Sequence, residues 1–363
     1  MRAKEFLHEV DANVAKVQSN IVDKVNTIFD IDELNQIYSY VRKIDLGTGF
    51  EPIFSKDEDL KQIQGVLSRS IIDAKATFEE KLEFAKEMAT TGIIDINQLL
   101  TPGVKQNLQS VVKTNFPNIF KQIASDILNI SGSFLSGTKK TNRGKGEFFL
   151  AIASPFISMA KGAGDLDINT GKNSMAIEVK ADLGRLKGRK GYGTTDTAYR
   201  EIKSNSKLFL KNNIKEPEGQ VNKQHPDFIV TLGAKSNFWS QFGPYCIQHG
   251  VDPGLVSSFI KSQLEIVVRS LYINLDRESM DSMLTSVDET TGVVDFKALS
   301  PAVKVAAFTY YQQSDGFDGL LLINGDSLNF MYIPDATTFQ QSARYARLGF
   351  EVGQQNGMQV TIS

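Results

Sequence analysis

The chain has 363 residues, 40 Lys+Arg against 42 Asp+Glu, 41% hydrophobic residues and a single cysteine, Cys246. That length allows two or three domains with at least one large core, and the composition is that of a soluble globular protein, not a disordered one. One cysteine excludes an internal disulfide framework and Cys-based zinc or iron–sulfur sites, and His8, His225 and His249 lack ligand-spaced neighbours. The net charge of −2 argues against a protein that coats nucleic acid over its whole surface. No apolar window approaches the roughly 18 residues of a membrane span, and the charged start Met1-Arg2-Ala3-Lys4-Glu5 does not resemble a signal peptide, so no membrane partner is expected. The default compartment is the cytoplasm.

In chain order, residues 1–130 predict a helical domain, suited to an arm, a homo-oligomer contact or a DNA-facing accessory. Phe6, Val10, Val14, Val17, Ile21, Val25 and Ile28 recur at helical spacing. A second helix starts at Asp30–Glu33 and runs to Tyr40, a long third runs from about Lys56 to Met88, and shorter ones fill Leu99–Ile130. After Ser131 and the basic run Lys139–Lys145 the pattern becomes mixed α/β, and residues 131–363 predict one domain with helical insertions. A helix opens at Glu147, and strands follow at Asp165–Asn169 and Ser174–Lys180. The Gly-rich basic loop Gly184–Gly193 precedes a helix at about Thr197–Asn212. Then come a strand at Asp227–Leu232, helices at Pro253–Leu275 and Pro301–Gln313, and a hairpin of Gly319–Asn324 with Leu328–Ile333. A helix at Thr337–Arg347 and a strand at Met358–Ile362 end the chain.

The chemistry is concentrated in residues 164–180. Leu166, Ile168, Met175, Ile177 and Val179 alternate with Asp165, Asp167, Asn169, Glu178 and Lys180, so one face is apolar and the other carries the charges. A two-residue turn at Gly171-Lys172 sets Asp165 directly opposite Glu178, with Cβ atoms roughly 5 Å apart. A three-residue loop would break that register. Two carboxylates so placed repel each other unless a cation lies between them, and Mg²⁺ suits a site of few carboxylates completed by water and substrate phosphate. Lys180 shares their face and is placed to orient the attacking water.

Asp165, a gap of 12 residues, and then Glu178-x-Lys180 resembles the Asp…(Asp/Glu)-x-Lys signature of the restriction-endonuclease-like, PD-(D/E)xK nuclease superfamily. The resemblance covers about 35 to 50 residues. It implies an α/β sandwich, a mixed sheet flanked by helices, in which a helix precedes a β-meander carrying the acidic pair. It implies that Asp165, Glu178 and a helical Glu147 bind Mg²⁺ or Mn²⁺, and that Lys180 assists the nucleophile. Gly164 departs from the family's frequent Pro before the Asp, and Pro155 stands where it would kink a helix begun at Glu147. Tyr310-Tyr311-Gln312-Gln313 resembles, loosely, a polar helix bordering the site in some members. The run Arg185–Gly193 is similar to nuclease-like proteins of large tailed phages, which makes host cytoplasm or a virion the implied location.

Residues 139–215 hold 16 Lys+Arg against 7 Asp+Glu, net +9, while the other 286 residues hold 24 against 35, net −11. Lys145, Arg185, Lys187, Arg189 and Lys190 are therefore the expected DNA-backbone contacts. The expected function is metal-dependent, endonucleolytic DNA hydrolysis. The competing expectation is a non-catalytic DNA-binding or phage assembly protein that keeps the fold, with the charged face an ordinary solvated hairpin.

Overall fold

A computed structural model describes residues 31–44, 58–113, 115–128, 145–160, 162–187, 194–214, 238–272, 275–348 and 357–362. The helix expected at 6–28, most of the basic run at 139–145 and the strand expected at 227–232 lie outside the described residues. In chain order the elements are α1 (Ile31–Val41), α2 (Glu58–Asp73), α3 (Phe78–Thr90), α4 (Ile96–Leu99), β1 (Gln106–Asn107) and α5 (Pro117–Leu128). Next come α6 (Lys145–Ala153), β2 (Ile157–Met159), β3 (Leu166–Asn169), β4 (Ser174–Ala181), β5 (Arg185–Lys187), α7 (Thr194–Asn213) and α8 (Phe238–Gln248). The last are α9 (Pro253–Leu271), α10 (Arg277–Leu284), α11 (Phe296–Asp315), β6 (Gly319–Ile323), β7 (Asn329–Ile333), α12 (Ala336–Ser342), β8 (Arg344–Arg347) and β9 (Gly357–Thr361). The class is α/β, and no described helix is long and apolar enough to cross a membrane.

The chain divides into two compact units. One comprises Met1–Ile96, Gln109–Lys161 and Leu166–Lys172; the other comprises Asn97–Leu108, Gly162–Asp165 and Asn173–Ser363. In the first unit α1 packs on α3, α2 on α5 and α5 on α6, with the Phe120 and Phe149 rings edge-on at 5.6 Å. The helix expected over 56–88 is two helices. Thr77 and Glu80 form a reciprocal capping box that starts α3, and Lys81 Nζ donates to the Ile72 carbonyl at the end of α2 (2.5 Å). Also in this unit, β2 and β3 pair antiparallel, Ser158 opposite Asp167.

In the second unit β4 pairs parallel with β6, which pairs antiparallel with β7, which pairs with β1. This mixed sheet carries Glu178 opposite Leu320 and Lys180 opposite Leu322. A second sheet orders β5, β9 and β8. One continuous apolar cluster joins α7–α12 to β5, β6, β7 and β9. α11 starts at Phe296, five residues before the expected Pro301, capped by Asp295, whose carboxylate accepts the Lys297 amide. Pro301 has no N–H for the Lys297 carbonyl, and the Ser300 hydroxyl donates to that carbonyl instead (3.2 Å). The helix expected over Thr337–Arg347 stops at Ser342. Lys304 Nζ donates to the Gln340 and Ala343 carbonyls, Ala343 is extended, and Arg344–Arg347 pairs with β9. Local spacing could not show that pairing, because its partner lies about a dozen residues downstream.

Candidate active site on the central strand

β4 is apolar enough to be a buried strand, and Ile177, Glu178 and Val179 are all buried. Glu178 is only 5% exposed, which removes the solvated-hairpin reading for this carboxylate. A buried carboxylate needs charge and hydrogen-bond partners, and two converge on Glu178 Oε1. One is Lys180 Nζ, two residues along the same strand; the other is the hydroxyl of Tyr311 on α11. The ammonium also lies 5.4 Å from the centre of the Tyr311 ring, and that ring stands edge-on to Phe317 at 5.2 Å. Glu178 Oε2 takes no hydrogen bond from a described residue.

Asp165 reaches the same place by another route. Its amide donates to the Ile177 carbonyl (2.9 Å), which sets it beside Ile177, one residue away from the register of a two-residue turn. The expected direct opposition of Asp165 and Glu178 is therefore corrected. In the turn before β4, Gly171 has φ +80° and its amide donates to Asn169 Oδ1 (2.8 Å). Asp165 Oδ2 accepts the Val179 amide (2.9 Å), so its carboxylate rests on the strand next to Glu178. Gly164 has φ +70°, and a Cβ there would stand 2.9 Å from the Ile177 carbonyl oxygen. Proline, locked near φ −65°, cannot take that conformation, which accounts for Gly and not Pro before Asp165. The Tyr311 hydroxyl is pushed well above its ordinary value, first by burial, then by its bond to Glu178 and by the negative charges of Glu178, Asp315 and Asp165. Both carboxylates of the motif thus act on one phenol.

Beyond Lys180 the strand turns through Asp182 and Leu183 (φ +61°) into β5. Asp182 Oδ2 accepts from Asn324 (2.9 Å) and Oδ1 from the Ile362 amide (3.1 Å), tying the end of β4 to the β6–β7 hairpin and the C-terminal strand. Arg185–Lys187, expected as the start of a phosphate-facing loop, is strand β5 on β9, with Leu186 buried at 1% and Arg185 half-buried. Alternating Arg-Leu-Lys is a half-buried strand pattern, and β9 supplies the edge that completes it. Lys187 is placed by its backbone in β5 and Lys145 by its backbone in α6, while Arg189 and Lys190 lie outside the described residues.

Glu147 belongs to the other unit. It stands in the first turn of α6, 6% exposed between apolar neighbours such as Phe148. Pro155 does not kink this helix, which ends at Ala153. Asp167 is half-buried in β3. Cys246 is buried, and burial pushes its thiol up to about 12, far from a reactive thiolate.

The donors near β4 are hard oxygens, with one Glu178 oxygen unengaged by described residues. Mg²⁺ is commonly held by one or two carboxylates plus water and phosphate, and the Asp165–Glu178 pair fits that use. Among the described residues no group of three or more His, Cys, Asp or Glu side chains could hold a metal ion, so an all-protein cage is not what these residues offer. Tyr311 was legible only as part of a polar helix; Asp182 carried no motif at all. No family model, no curated protein and no solved structure matches this chain.

Proposed function

We propose that the chain is a metal-dependent DNA nuclease of the restriction-endonuclease-like kind, cutting phosphodiester bonds endonucleolytically. The observation that carries this reading is the convergence of Lys180 and Tyr311 on buried Glu178, with Asp165 held against the adjacent amide and acting on the same phenol. The succession of helix α6 and strands β2, β3 and β4 is the order of elements that the motif resemblance implies. The net charge of +9 over residues 139–215 supports a polyanionic substrate.

Asp165 and Glu178 would hold Mg²⁺ or Mn²⁺, which supplies Lewis acidity at the scissile phosphate and acidifies a bound water. Tyr311 keeps the Glu178 carboxylate in one orientation, and the Val179 amide does the same for Asp165. Lys180, about 20% exposed at its side chain, has an ammonium that can swing from Glu178 to hold the attacking water against a phosphate oxygen. Glu147 is not needed for this reading.

A second reading, a non-catalytic DNA-binding or phage assembly protein, takes support from the same contacts: the charge of Glu178 is already balanced by the Lys180 ammonium without a cation. Incubating plasmid and linear DNA with the protein in Mg²⁺ or Mn²⁺ separates the two. Nicking by the wild type, abolished in folded Asp165→Ala and Lys180→Ala, is expected. Absence of cutting in both metals, or equal cutting by the variants, overturns the nuclease.

A further inference from the structure

Helix α7 (Thr194–Asn213) carries a row of cations that the candidate site does not use. Ala198, Tyr199, Ile202, Phe209 and Leu210 turn into the core of their unit, where Trp239 Nε1 donates to the Tyr199 hydroxyl (3.0 Å). The opposite side presents Arg200, Lys207 and Lys211, all exposed, with Lys203 half-buried at its edge. At about 100° per residue, positions 200, 203, 207 and 211 fall within an arc of roughly 80°, and at 1.5 Å rise they span about 16 Å. Arg200, Lys207 and Lys211 form no ion pair with a described residue, whereas Lys261, Arg269 and Arg277 in the same unit each have a carboxylate partner. The acids on α7 are Asp196 and Glu201 alone, and the sequence on either side adds Lys187, Arg189, Lys190 and Lys215.

A row of this length is matched to a repeated anion, not a single one. Duplex DNA presents a phosphate about every 3.4 Å along each strand, so about 16 Å of helix faces several phosphates. Apart from the exposed Leu208, the apolar side chains of α7 are consumed by the core, so the helix offers a lipid layer one leucine and no apolar face. The geometry points to α7 as a sequence-independent docking surface for the sugar-phosphate backbone of duplex DNA, through Arg200, Lys203, Lys207 and Lys211. This deepens the nucleic-acid part of the proposed function and rests on it, but it concerns binding and not cutting.

Fluorescence anisotropy of a labelled duplex, in EDTA and over a potassium chloride series, tests it with the full chain. Arg200→Gln/Lys207→Gln/Lys211→Gln alters exposed positions only. Its affinity should fall roughly tenfold or more, and its log–log salt slope should shrink by about 2.7, at about 0.9 per neutralised phosphate. The comparison variant Lys261→Gln/Arg269→Gln/Arg277→Gln removes the same charge elsewhere in the unit and should bind as the wild type does. An unchanged slope in the α7 variant, an equal loss in the comparison variant, or no duplex binding by the wild type overturns the inference. So does a preference for phosphatidylglycerol vesicles over DNA. Because the binding assay contains no divalent ion, a protein that binds with the expected slope yet cuts nothing in the separate Mg²⁺ and Mn²⁺ incubations sinks the nuclease and leaves the α7 surface standing.

Discussion

Replacing Tyr311 by Phe removes one oxygen from a residue that is 0% exposed and leaves its ring in place against Phe317 and the Lys180 ammonium. Apolar burial is almost unchanged, so the variant tests the hydroxyl, which donates to Glu178. Hydrogen bonds to charged acceptors contribute about 1.5–3 kcal/mol, against about 1 kcal/mol for neutral pairs. Glu178, 5% exposed, cannot recover the loss from bulk water, so the expected destabilisation lies in the upper part of that range. Trp239, the single tryptophan, sits in the same unit and reports its unfolding in urea. The midpoint should fall while the slope with denaturant stays constant. Lys180→Met acts on the same carboxylate oxygen, so the double variant should show a coupling of about 0.5 kcal/mol or more. A Tyr311→Phe loss below about 0.5 kcal/mol, the range of ordinary surface substitutions, or strict additivity with Lys180→Met, would refute the buried network.

Burial pushes the Asp182 carboxyl up, but hydrogen bonds from Thr361, Asn324 and the amides of Ile362 and Leu183 outweigh it and hold the group below the usual aspartate range. A depressed folded value stabilises above the unfolded value near 3.9 and loses that contribution as pH falls through the lower, folded one. Asp182→Asn should therefore cost about 1–3 kcal/mol at neutral pH, with the gap to wild type closing below about pH 4; a gap independent of pH contradicts this. Gly164→Ala meets both a left-handed φ and the Ile177 carbonyl oxygen at 2.9 Å, and should destabilise by about 2 kcal/mol. Stabilisation in the same unfolding assay, as when only unfolded-chain entropy changes, would show that the close approach is not real.

Strands β3 and β4, the β6–β7 hairpin and the last strand were legible because alternation, or in the hairpin a short apolar run, is local and each is bounded by Gly, Asn or Asp. The break between α2 and α3 was legible in principle, since Thr77-x-x-Glu80 is a capping box inside an otherwise continuous helical pattern. Strand β5 and the β8 end of the expected last helix were not. Each is decided by pairing with β9, far along the chain from β5 and beyond the local window of β8, and basic or mixed residues give no periodic signal strong enough to announce a strand. The Asp165 register hung on the length of one turn, which the alternation of the flanking strands does not fix.

By itself the sequence determined which residue types could do chemistry and how they were grouped: an acidic pair with a lysine, inside a +9 segment of a chain otherwise at −11. It also determined that Gly, not Pro, precedes Asp165, a choice that makes sense only once the backbone's φ of +70° is known. The tertiary structure alone decided that Glu178 is buried, that Tyr311 comes from 133 residues away to meet it, and that four cations of α7 line one side of a helix whose other side is core. The physical reason is the range of the forces. Charge composition and alternation are properties of neighbouring residues, whereas burial and the partners of a buried charge depend on which distant element closes over it.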